Sequence, residues 1–275
     1  MIEPNRSIPR KPSYLQVPNH RVGKRHRMKR ARLYALGLMV IIAFPTVDNA
    51  SNSLSWMGHE WTITNGSMAG IAPGDAANVS LTKQGYLQLQ VVRHGSSVTA
   101  AQLFSQDVMG FGTYQWQIQG PVDSMPTEIV LGLFPYGPAD GIGQNGENEI
   151  DIEFSKWRGT LCGGACNADF AVYPSSGHGN LKATQDNFLV KLARGNLVTA
   201  RLTWTSTSIT ETVMSGLQPM GTTNDVLHTW TFEPSNPEAR IPQQAVPLGM
   251  NLWCYEAKPS HGQKITIRSF QFDPT

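Results

Sequence analysis

Glu149-Ile150-Asp151-Ile152-Glu153-Phe154 alternates acid and apolar residue over six positions. A period of two is the mark of a β-strand whose two faces differ. Ile150, Ile152 and Phe154 share one face, suited to a core, while Glu149, Asp151 and Glu153 share the other. Three like charges in a row on one face are electrostatically unfavourable. A strand that carries them is either solvated there, or holds a hard cation through its oxygens, or uses the acids.

Outward from this run the text stays strand-like. Residues 87–92, 113–118, 128–134, 169–173, 197–204, 208–213, 246–253 and 264–272 are short, rich in β-branched and aromatic residues, and separated by Gly, Pro, Asn and Ser clusters. The best helical candidate, residues 182–192, is short. Many strands, frequent turns and no alternation with helices predict an all-β chain, an antiparallel sandwich or barrel. No internal repeat or second domain is visible.

The two ends of the chain differ in charge. Residues 1–32 carry ten Lys/Arg and one acid, whereas residues 51–275 carry twelve Lys/Arg and eighteen Asp/Glu, a net charge of −6. The overall +2 therefore belongs to the leader, and a basic face for nucleic acid is not expected on the folded part. Lys24-Arg25-His26-Arg27-Met28-Lys29-Arg30-Ala31-Arg32 precedes an apolar run over 33–44 and then Pro45, the order of a secretory signal. Twelve apolar residues fall short of the roughly 20 needed to span a bilayer, although a signal anchor or buried helix is the competing reading. Residues 1–50 are thus expected to be an extension plus signal segment, with translation starting at Met28 as an option and cleavage near Ala50. Residues 51–275 form the expected domain, secreted or periplasmic, monomeric and not stably inserted in a membrane.

Cys162, Cys166 and Cys254 are an odd set for an oxidising compartment. A loop disulfide between Cys162 and Cys166 leaves Cys254 as a thiol; pairing of Cys254 with either loop cysteine is the alternative. There is no second Cys or His pair at zinc spacing, so no metal site is assigned. His178, His228 and His261 sit among turn residues and form no triad with a serine.

Paired carboxylates are the working groups of glycoside hydrolysis. Glu149 and Glu153 lie roughly 13 Å apart at Cα on an extended strand, and side chains leaning toward each other bring the carboxyl groups much closer. The retaining geometry needs about 5–5.5 Å and the inverting one roughly 6.5–9.5 Å, and spacing in the sequence leaves both open. Tyr114 with Trp116, and Asn251 with Trp253, share strand faces. A curved sheet lined by acids, amides and aromatic rings suits a sugar chain.

Glu149-Ile-Asp-Ile-Glu153-Phe154 resembles the active-site strand of glycoside hydrolase family 16, which includes laminarinases, lichenases, agarases and κ-carrageenases. Phe104-Ser105 followed by Gly110-Phe111-Gly112-Thr113-Tyr114-Gln115-Trp116-Gln117-Ile118, and Leu202-Thr203-Trp204 with Ser208-Ile209-Thr210, resemble further segments of that family. The resemblance implies a jelly-roll β-sandwich of two antiparallel sheets with a concave glycan-binding cleft. It also implies double displacement with retention: Glu149 as nucleophile, Asp151 as its helper, Glu153 as general acid/base. The uninterrupted five-residue motif resembles the lichenase form, which points to a β-glucan substrate. The chain departs from the family at Gly146-Glu147-Asn148, where lichenases have a Trp-Asp pair, and in the Cys-bearing loop 159–167.

Trp157, just past the acidic strand, is a candidate for stacking on a sugar or for packing at the sandwich rim. Asn167 is a candidate for a sugar hydroxyl or a turn residue. Tyr114, Trp116, Asn251 and Trp253 are expected to line the cleft, and Trp204 and Trp230 to sit in the core. The expected activity is an endo-acting glycosidase on a polysaccharide, needing no cofactor, with a structural calcium as an option. A transglycosylase with the same site and a non-catalytic glycan-binding module are the alternatives.

Overall fold

A computed structural model describes residues 52–193 and 195–275; the expectations for residues 1–50 lie outside it. The first half of the described chain forms β1 (Ser53–Trp56), β2 (His59–Ile63), β3 (Val79–Leu81), β4 (Leu87–His94), β5 (Ser97–Thr99), β6 (Ala101–Met109), β7 (Gly112–Gln119) and β8 (Ile129–Pro135). The second half forms β9 (Ile150–Phe154), β10 (Ala168–Val172), β11 (Thr184–Phe188), β12 (Leu197–Trp204), β13 (Ile209–Ser215), β14 (Val226–Phe232), β15 (Val246–Cys254) and β16 (Gln263–Pro274). Among the described residues helix is limited to α1 (Pro237–Arg240) and short 3-10 turns, and no helix is long and apolar enough to cross a membrane.

The strands build two antiparallel sheets packed as a jelly-roll sandwich. The first runs β1-β2-β6-β15-β8-β9-β10-β11, the second β14-β13-β12-β7-β16-β4-β3, with β5 paired to β4. Alternation decides which side chains meet between the sheets. Leu131, Leu133, Ile150, Ile152, Phe154, Phe170, Met250 and Leu252 come from the first sheet, and Trp116, Ile118, Leu202, Trp204, Ile265 and Phe270 from the second. All are buried. Burying a large apolar side chain contributes about 1.5–3 kcal/mol, and this shared layer is what fixes the register of the acidic strand: a slip by one residue would put three carboxylates into it.

Residues 182–192, the weak helical candidate, hold a strand: 184–188 pair with β10, Phe170 opposite Asp186, because a sheet edge offers more hydrogen bonds than an isolated turn of helix. One expectation is corrected. Tyr114 and Trp116 do not line the cleft. They stand on β7 in the second sheet, facing the core and fully buried, in ring contact with Phe270. The shared face read from the sequence is real; it is the face turned to the other sheet.

Candidate active site

The acids stand on the outer face of the first sheet. Glu153 lies opposite Gly132 of β8 and Asp169 of β10, and Asp151 opposite Ala171. Gly132 in turn lies opposite Asn251 of β15, which lies opposite Gln102 of β6. One row of the sheet therefore reads Gln102, Asn251, Gly132, Glu153, Asp169: amide, amide, gap, acid, acid. The gap has a steric cause. A Cβ on Gly132 would stand 2.6 Å from Asn251 Oδ1, the same oxygen that accepts from the Gly132 N–H at 3.1 Å.

Glu149 enters the site from a stapled loop. Asn148, in the left-handed region at φ 50°, donates its N–H to Pro174 O and accepts from Gly137 N through its carbonyl. Its side-chain amide donates to Ile142 O and Ser176 Oγ and accepts from Ser176 N. Glu147 is buried, with its carboxylate accepting from Gly179 N and Gln144 N. The dipeptide that departs from the lichenase pattern thus joins loop 137–146 to loop 174–179, directly ahead of Glu149, whose carbonyl accepts from Tyr173 N at 2.9 Å.

Two aromatic banks flank the acids. On the Glu149 side, Tyr136 bridges to Glu149 through the backbone, and its ring contacts Phe104 and Phe134 at 6.1 Å between centroids. Gly249 leaves room for them, since a Cβ there would lie 2.5 Å from Phe134. On the Glu153 side, Trp157 packs edge-on against Trp253 and Tyr255. The sequence reading missed the first bank; the parity of Phe104 and Phe134 with Asn251 carries the signal once the strand order is known.

The remaining candidates divide. Asn251 stands in the acidic row, and Trp253, two residues further along the same strand face, lies opposite Val130 and is buried. Gly70, at φ 83°, closes on Trp253: a Cβ there would lie 2.5 Å from the indole and 2.2 Å from Cys254 O. Trp157 is buried and its Nε1 donates to Asp169 Oδ1 at 2.7 Å, so it packs and orients and is not an open stacking platform. Asn167 is corrected. Both its amide hydrogens go to Asp123 O and Val190 O, and its oxygen accepts from Val190 N; it anchors the 188–192 segment, not a sugar. Burial, reinforced by Glu256, pushes the Tyr255 hydroxyl up to about 12, so it is neutral in the working range.

Behind the acidic strand, on the core face of the second sheet, lies Glu211, fully buried with no hydrogen bond to either carboxyl oxygen. Burial, with Asp151, Asp169 and Asp186 nearby, holds its proton affinity well above the ordinary carboxylate range. In Ile209-Thr210-Glu211-Thr212-Val213 its parity with the apolar Ile209 and Val213 is the one sequence signal that it points inward. Cys162 and Cys166 form a disulfide and Cys254 is a buried thiol, pushed up to about 12 by burial. Among the described residues no three His, Cys, Asp or Glu side chains are grouped to hold a metal ion.

No protein-family model matches the sequence, and no curated protein does. Solved structures do. A Bacillus licheniformis β-glucanase superposes with a TM-score of 0.56 over 82% of this chain and 99% of its own, at 21% identity. A Bacteroides ovatus family 16 protein of a mixed-linkage glucan locus, solved with a G4G4G3G product, gives 0.57 over 77% and 94%, at 19% identity. A glycosyl hydrolase family protein of Mycobacterium fortuitum gives 0.56 over 77% and 90%, at 17% identity. The chain has the fold of glycoside hydrolase family 16 β-glucanases.

Proposed function

We propose that this chain is a family 16 glycoside hydrolase that cleaves internal β-glycosidic bonds of a polysaccharide, a β-glucan by preference, with retention. The observation that carries the reading is the alternation of Glu149, Asp151 and Glu153 on the outer face of a jelly-roll sheet, with Glu153 in one row with Asn251. In the first step a Glu149 oxygen attacks the anomeric carbon, the glycosidic bond breaks, and Glu153 gives its proton to the leaving oxygen. In the second, Glu153 takes a proton from a water that attacks the same carbon, and the ester to Glu149 breaks. Asp151, between them, keeps the two carboxyl groups in different ionisation states, because like charges at close range do not all ionise together.

No step needs a cofactor. An acidic domain behind a basic and apolar leader, with a loop disulfide, favours an exported protein. The test is incubation of the full-length protein with lichenan, laminarin, xyloglucan, agarose and carrageenan, followed by reducing ends. Release from a β-glucan that disappears in Glu149→Gln and Glu153→Gln is expected. Altered polymer length without new reducing ends would indicate transfer to a sugar hydroxyl, and binding without cleavage would reject the enzyme.

A further inference from the structure

We propose that Asp169 is a fourth carboxylate of the site, a positioning residue that raises the proton affinity of Glu153 from the neighbouring strand. The inference rests on the reading of Glu153 as the general acid/base. Directly opposite residues on paired antiparallel strands place their Cβ atoms about 4.5–5.5 Å apart, and Asp169 is the residue opposite Glu153. The Trp157 indole donates to Asp169 Oδ1 at 2.7 Å, and a donor of this kind favours the ionised carboxylate. An anion held across from Glu153 makes its proton harder to remove.

The register partners of the pair carry no cation, with Gly132 beside Glu153 and Asn187 beside Asp169, and Glu211 of the facing sheet is itself an acid near Asp151 and Asp169. On its own strand Glu153 is preceded on the same face by Asp151 and Glu149, both acids. β8 and β15 contribute Gly132, Asn251 and Trp253, which do not ionise. Tyr255, packed over Trp157, is neutral. Arg158, the cation of the adjoining turn, faces away to Glu256 at 3.5 Å. Asp169 adds a carboxylate from the neighbouring strand to those two and four positions along the strand of Glu153 itself. With it, Glu153 keeps its proton to higher pH for the first chemical step, and Trp157 links this tuning to the aromatic bank.

The test is the titration of Glu153 in the full-length protein, labelled with 13C at glutamate and assigned by the signal lost in Glu153→Gln. Asp169→Asn keeps an oxygen for the indole and removes the charge. Its Glu153 midpoint is expected to fall by about one pH unit, with Asp169→Ser shifting the same way and Asp169→Glu staying near wild type. On a polymer that is cleaved, the basic limb of kcat/KM should move down with it. A folded Asp169→Asn or Asp169→Ser with an unmoved Glu153 midpoint overturns the proposal. A moved midpoint in a protein that cleaves nothing upholds the coupling while removing the hydrolase reading.

Discussion

A glutamate in a core and a glutamate on a working face differ only in which way one residue points, and this chain has both. Glu211 is buried without a hydrogen bond and holds its proton. The unfolded chain releases that proton above about pH 4.3, the folded one only at a higher pH. Its contribution to stability is therefore fully present below about pH 4.3 and is lost as pH rises through the folded value, at about 1.4 kcal/mol per pH unit. Glu211→Gln should equal or trail wild type in urea at pH 4 and gain on it steadily toward pH 7; parallel curves would show that Glu211 ionises freely. At Gly132, substitution by alanine should push the Asn251 amide out of the acidic row. A rise in KM of roughly tenfold, with the melting temperature nearly kept, is the expected result in steady-state kinetics, in line with the loss of about 1–1.5 kcal/mol of hydrogen bonding. The acidic row was legible in the sequence because its alternation is local. Glu211 was not, because it sits in the polar run Thr210-Glu211-Thr212, and only its shared parity with Ile209 and Val213 sets it on the core face.

At the scale of elements, the strands that sequence patterning located are those with strong apolar alternation, and the central ones among them carry the site. β11 does not stand out in the sequence because Thr184-Gln185-Asp186-Asn187-Phe188 has little apolar content; pairing with β10 supplies what propensity does not. Tyr114 and Trp116 were assigned to the right strand and the wrong side of the molecule, since a strand's two faces can be told apart from sequence but not which sheet it will join. The loops that differ from the lichenase pattern have a structural account in the Glu147–Asn148 staple. Asn148→Ala removes three side-chain hydrogen bonds and should cost about 1–3 kcal/mol. That corresponds to a fall of several degrees in melting temperature for a domain of this size, with a larger proportional loss of kcat than of stability because Glu149 is the next residue. Thermal melts and single-turnover rates measured together check this. A stability loss with full kcat would confine the staple to folding.

At the scale of the whole molecule, two eight-stranded sheets share one core and leave one outer face for chemistry. The separation makes core and site independently breakable. Trp116→Ala, deep between the sheets, should cost about 3–5 kcal/mol yet leave the activity per folded molecule near wild type at low temperature, as denaturant titration and initial rates would show. The fold class followed from composition and rhythm alone, whereas no local pattern encodes the geometry of the loops beside the acidic row. The central claim is that Glu149 and Glu153 act on one anomeric carbon by double displacement. Proton NMR of the products formed on lichenan in the first minutes tests it most directly. The account predicts that the β-anomer of the new reducing end appears first and mutarotates afterwards; first appearance of the α-anomer, or no cleavage of any β-glucan, would contradict it.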